Sequence, residues 1–175
     1  MKSNLRLTIG LMTLLSSVAC AESEVVPGIL PSGFGTQVDR DVKAVREATS
    51  AFHSLERALA AGYTQETDCM EKPPEGGMGY HFTKRELRDA VLEVDQPEVL
   101  VYEKRADGSF KLNGVEYIVP ISSWQESAPP IVMGQPMKRF ERAGIWYLHV
   151  WIWEYSPSGL FADWNPRVKC TAASS

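Results

Sequence analysis

Ile145-Trp-Tyr-Leu-His-Val-Trp-Ile-Trp-Glu-Tyr155, IWYLHVWIWEY, is the stretch whose reading decides the fold. It is rich in β-branched and aromatic residues, which favour strands. In a strand one face carries Ile145, Tyr147, His149, Trp151 and Trp153, and the other carries Trp146, Leu148, Val150, Ile152 and Glu154. Both faces are largely apolar, so this strand is expected inside a sheet that is covered on both sides.

The cover on one side is predicted upstream. Thr36-Gln-Val-Asp39 fits a capping box, and Val38, Val42, Val45, Phe52, Leu55 and Leu59 follow at spacings of three, four or seven. That is one apolar face of an amphipathic helix ending at Gly62. Glu56 falls inside this face and His53 at its edge, so Glu56 is expected to find a polar partner.

The partner strands lie between the two. Residues 63–77 read as loop, because Pro73-Pro74 and Gly76-Gly77 punctuate them. Gly79–Phe82 reads as a short strand, and Thr83-Lys-Arg-Glu86 as a second capping box opening a helix to Leu92. Glu98–Lys104 and Phe110–Val119 form a hairpin across Ala106-Asp-Gly-Ser109, with a bulge or bend at Asn113-Gly114. Residues 121–143 read as a long irregular connection, and residues 156–170 as a segment wrapping back. The expected fold is α+β: a curved antiparallel sheet of about four or more strands packed on an N-terminal amphipathic helix. A cone with an internal cavity fits the same pattern.

The ends of the chain bear on compartment. Lys2 and Arg6 precede an apolar run, Leu7–Leu15, and the small residues Ser16-Ser-Val-Ala-Cys-Ala21, the layout of a secretory signal over 1–19. Ser-Ser-Val-Ala-Cys has the form of a lipobox that would leave Cys20 lipidated, and Ala19-Cys-Ala21 also fits ordinary signal cleavage. Residues 20–37 then read as a tether, 38–170 as a single domain and 171–175 as a tail. Export to the periplasm or cell envelope of a bacterium is the expectation, with membrane contact only through the anchor at Cys20. Cys69 and Cys170 remain, and two cysteines in an exported chain are expected to pair. Such a bridge, closing a loop of about 100 residues, is worth up to about 4–5 kcal/mol in the chain-entropy model. The formal net charge is −4 and grows more negative once Lys2 and Arg6 are removed. There is no basic patch for nucleic acid.

Strand alternation singles out three polar groups. If Tyr80, Phe82, Val115, Tyr117, Leu148 and Val150 face the helix, then His81, Glu116 and His149 face away, beside Tyr147, Trp151 and Trp153. Two imidazoles and one carboxylate can hold a divalent metal, zinc or copper, and leave a position open. The same trio without a metal can do general acid/base work. The alternative is three separately hydrogen-bonded side chains, and a one-residue slip in any strand would scatter them.

Other signals carry less. Gly76-Gly-Met-Gly79 permits close backbone approach but lacks the lysine and helix of a phosphate loop. Met70, Met78, Met133 and Met137 suggest soft-metal binding, yet their spacing is irregular and methionine commonly fills cores. Trp124, Trp146, Trp151, Trp153 and Trp164 are enough to line a groove for a small apolar or sugar-like ligand, or simply to pack the core.

Gly77-Met-Gly-Tyr-His81, Gly114-Val-Glu-Tyr117, Leu148-His-Val-Trp151, Pro157-Ser-Gly-Leu-Phe161 and Trp164-Asn-Pro-Arg-Val168 through Cys170 together resemble a group of small exported bacterial proteins with no assigned activity. The resemblance spans residues 60–170 and implies no mechanism. Three functions stay open at this point: a cell-envelope module binding a small molecule or metal in a His/Glu/Trp-lined pocket, a small hydrolase or isomerase using His81, Glu116 and His149, and a structural lipoprotein with no site.

Overall fold

The computed structural model describes residues 32–170. The signal 1–19, the lipidation site Cys20, most of the tether and the tail 171–175 lie outside the described residues. The architecture is the expected one, a helical layer on one face of an antiparallel sheet. Among the described residues no helix is long and apolar enough to cross a membrane.

Helix α1 spans Thr36–Thr49, followed by a 3-10 turn at Ser50–His53 and a short helix α2 at Leu55–Ala60. The expected single helix is thus broken. The Thr49 hydroxyl donates back to the Val45 carbonyl at 2.7 Å, a bond that competes with the helix ladder. Ser54 then turns extended and caps α2, its Oγ accepting the Arg57 amide. The break resets the phase of the buried face. Ala58 becomes fully buried, whereas His53, Glu56 and Leu59 face solvent. Glu56 therefore needs no buried partner. At the other end Gly35, not Thr36, is the N-cap, so the tether gives way to helix at Thr36 rather than Val38. Asp39 instead accepts the Ser32 amide at 2.7 Å.

Nine strands follow among the described residues: β1 Thr64–Gln65, β2 Met70–Lys72, β3 Gly76–Thr83, β4 Val99–Lys104, β5 Phe110–Pro120, β6 Ile131–Val132, β7 Gln135–Pro136, β8 Lys138–Phe140 and β9 Ile145–Val150. The main sheet runs β1-β3-β4-β5-β9-β8, with β2 also on β3, while β6 and β7 form a separate hairpin. The sheet stays open, so no cone forms. Residues read as loop, 63–77 and 121–143, supply several of these short strands. The helix expected after Thr83 shrinks to one 3-10 turn at Arg85–Leu87, because Thr83 continues β3 and its hydroxyl donates to Glu66 instead of capping.

The core between helix and sheet gathers Val38, Val42, Val45 and Ala58 against Leu100, Tyr102, Val115, Tyr117, Leu148 and Val150. Buried tyrosine hydroxyls fasten the irregular segment before β4: Tyr63 donates to the Pro97 carbonyl and Tyr117 to that of Val94. A smaller cluster of Val99, Val101, Ile118, Trp151 and Val168 occupies the other face.

That second face is roofed by the C-terminal segment. Gly77 and Asn165 exchange backbone hydrogen bonds at 3.1 and 3.0 Å. The glycine run now has a reason. A Cβ on Gly76 would lie 2.2 Å from the Asn165 carbonyl oxygen, and one on Gly79 would lie 2.3 Å from that of Tyr102. Cys69 and Cys170 fasten the end of this strap, with an S–S distance of 2.07 Å and Cα atoms 5.6 Å apart.

Candidate metal centre

The three polar side chains come from strands with known register. Glu116 on β5 pairs directly with His149 on β9, and on its other side with Val99 of β4. His81 on β3 pairs with Val101 of β4. Directly opposed residues share a face, so all three project to the side away from the helices.

In a flat sheet His81 and His149, three strands apart, would be separated by about 14 Å. Their Nε2 atoms are 3.2 Å apart. That 14 Å is the spacing of the backbones, and the two imidazoles lean toward each other over Glu116 to close it. The sheet carries a bulge beside the trio: Val101 pairs with Gly114 but Tyr102 with Leu112, leaving Asn113 as the extra residue of β5.

The trio is closely matched. His149 Nε2 lies 3.4 Å from Glu116 Oε1, and His81 Nε2 lies 3.6 Å from Glu116 Oε2. Among the described residues it is the one group of three His, Cys, Asp or Glu side chains whose ligand atoms all lie within 4.8 Å of one another. All three residues are buried, at 4% exposure for His81, 7% for Glu116 and 1% for His149. Trp151 packs against His149 with ring centroids 5.6 Å apart, and its Nε1 donates to the Ala162 carbonyl.

Burial sets the charge state. It pushes the Glu116 carboxyl up to about 8, against the pull of Arg88. It holds His81 down at about 4, against the Glu66 carboxylate, and His149 well below the ordinary imidazole range, helped by His81 and Lys138. At neutral pH these shifts leave the two imidazoles and the carboxyl without charge, as burial away from water favours.

Thr67 completes the surroundings. Its Oγ1 accepts the His81 backbone N–H at 3.2 Å and lies 3.0 Å from His81 Nδ1. No motif flagged Thr67; its only signal was its place two residues before Cys69.

The other expected pocket residues divide. Trp151 lines the site. Tyr147 shares the face but stands further out, its hydroxyl donating to Asp163 at 3.4 Å. Trp153 lies on the helix side, which corrects the expected placement. Its Nε1 donates to Thr49 Oγ1 at 3.1 Å and its ring meets His53, with centroids 4.4 Å apart. Strand alternation stops at Val150, and the Trp153 and Glu154 amides both turn to the Asn113 carbonyl. Trp124 and Trp146 also pack on the helix side, so the tryptophans form no common groove. Met133 and Met137 are buried there too, away from the histidines.

No family model, curated protein or solved structure matches the chain. The geometry alone therefore carries the functional reading. A buried His/Glu/His group of these dimensions is compatible with a metal ion.

Proposed function

We propose that this protein is an exported cell-envelope module that binds one divalent transition metal ion, zinc, through His81 Nε2, His149 Nε2 and Glu116. The observation that carries the reading is that one ligand atom from each of the three residues lies within 4.8 Å of the other two, the Nε2 atoms 3.2 Å apart and each facing its own Glu116 oxygen, at 3.4 and 3.6 Å. Ligand atoms bonded to zinc at 2.0–2.1 Å in a tetrahedral arrangement stand about 3.4 Å apart. A trio held by hydrogen bonds alone would draw an O–H···N contact to about 2.7–2.9 Å, which neither Glu116 contact approaches. Two neutral imidazoles and a carboxylate suit zinc by donor type.

Three protein donors leave the fourth position to water or a small anion. The near-complete burial of the trio supports holding the ion rather than turning over a large substrate. The signal-like N-terminus supports export, and the disulfide suits an oxidising compartment.

The test is metal content. The protein is purified from the periplasm without a histidine tag and compared with His81→Ala and His149→Ala. Near-stoichiometric zinc, lost in both variants while far-UV circular dichroism is retained, is the expected result. No metal in the wild type, even after reloading with zinc and copper, overturns the reading. It would then leave an organic-ligand site, acid/base chemistry or a packed core.

A further inference from the structure

We infer that Thr67 is a positioning residue that commits His81 to bind metal through Nε2, by accepting the ring proton from Nδ1. The inference rests on the metal reading above and adds what selects the ligating nitrogen.

A neutral imidazole carries one ring proton. If Nε2 gives its lone pair to a metal, that proton must sit on Nδ1 and needs an acceptor in a buried site. Thr67 Oγ1 is 3.0 Å from Nδ1. One of its lone pairs is already fixed, because the His81 backbone N–H, 3.2 Å away, can only donate. The second lone pair is free to take Nδ1–H, and the hydroxyl hydrogen then points elsewhere. One hydroxyl thus grips His81 at both backbone and ring, which sets the ring plane as well as the tautomer.

Thr67 is itself held from both sides. Before it, β1 pairs with the end of β3, and the Glu66 amide donates to the His81 carbonyl at 2.9 Å. After it, Cys69 is locked to Cys170, and β2 pairs with the start of β3. The hydroxyl is therefore presented by anchored backbone. Outer partners of metal-bound histidines typically change affinity about 10- to 100-fold when removed.

Zinc affinity is measured by competition with a chromophoric chelator for wild type, Thr67→Ser and Thr67→Val, alongside the melting temperature of each metal-free protein. We expect Thr67→Val to weaken zinc binding about 10- to 100-fold and Thr67→Ser to stay near wild type. A purely structural hydroxyl would lower the melting temperature of Thr67→Val but leave the affinity of the folded protein unchanged, and that result overturns the inference. Nitrogen-15 spectra of zinc-loaded wild type need no substitution: a proton on His81 Nδ1 is expected, and a proton on Nε2 overturns it. A wild type that takes up no zinc removes the metal reading itself, and the inference with it.

Discussion

Glu98 accepts the backbone amide of Ile118 on its Oε2 at 3.0 Å, inside the sheet. Burial pushes this carboxyl up to about 7, with the Ile118 amide pulling the other way. In the unfolded chain it titrates near its ordinary value of 4.5. Below pH 4.5 both states hold the proton, and Glu98 makes stability no function of pH. From 4.5 to about 7 only the native state holds it, so stability falls as pH rises. Glu98→Gln keeps an acceptor for Ile118 without the ionisation. Its stability relative to wild type is expected to climb by on the order of 1 kcal/mol per pH unit across that window. Urea unfolding of both proteins at pH 4.5 and 7.5 checks it; parallel curves would mean Glu98 is ionised in the native state.

Gly79 has φ +94°, and an added Cβ would meet the Tyr102 carbonyl oxygen at 2.3 Å. Gly79→Ala must push β3 from β4, beside the bulge at Asn113. A loss on the order of 2–4 kcal/mol is expected. Thermal unfolding of the metal-free protein measures it, and an unchanged melting temperature would show that the two strands can separate locally at little cost.

Replacing Cys69 and Cys170 together by serine is expected to cost about 2–5 kcal/mol. The effect should also be local. Val168 is fully buried against Val99, Val101, Ile118 and Trp151, and the bridge fastens the strap that carries it. Hydrogen exchange should speed up first at Gly77 and Asn165, whose amides bond across the strap. Uniform acceleration over the whole sheet would instead mean that the strap and the sheet open together.

Trp151 and Trp153 should separate cleanly. Trp153→Leu removes a ring packed on His53 and its bond to Thr49, so it should lower stability by about 1–3 kcal/mol while zinc affinity holds. Trp151→Leu removes the aromatic neighbour of His149 and should weaken zinc retention as well. Chelator competition and thermal unfolding, run on both variants, give the two readouts; an affinity loss at Trp153→Leu would tie the helix side to the site.

The shared face of His81, Glu116 and His149 was legible because cross-strand pairing preserves sidedness, and each residue sits between apolar neighbours pointing to the helix. The bulge at Asn113 was legible from the Asn-Gly pair. The closeness of the trio was not, since alternation specifies a side but not how far side chains on separate strands lean toward one another. Trp153 was misplaced because a run of strand-formers says nothing about where pairing partners end; the fully paired part stops at Val150. The helix break at Ser54 was hidden for a related reason. The apolar spacing continued across it, while the Thr49 back-bond and the Ser54 cap decided locally. Glu98 escaped notice as the first residue of an apparent strand, although a carboxylate abutting Val99-Leu-Val-Tyr102 was a signal of burial.

The two histidines are 68 positions apart in the chain, and the second stands on the last strand. Before β9 docks, the polypeptide offers only scattered weak donors; afterwards it offers one chelate. A ligand held by this trio consequently binds the native state alone and stabilises it through mass action, by about 1.4 kcal/mol for each tenfold excess over its dissociation constant. An ion bound there, as proposed, would therefore mark the finished sheet, which a truncated or misregistered chain cannot form.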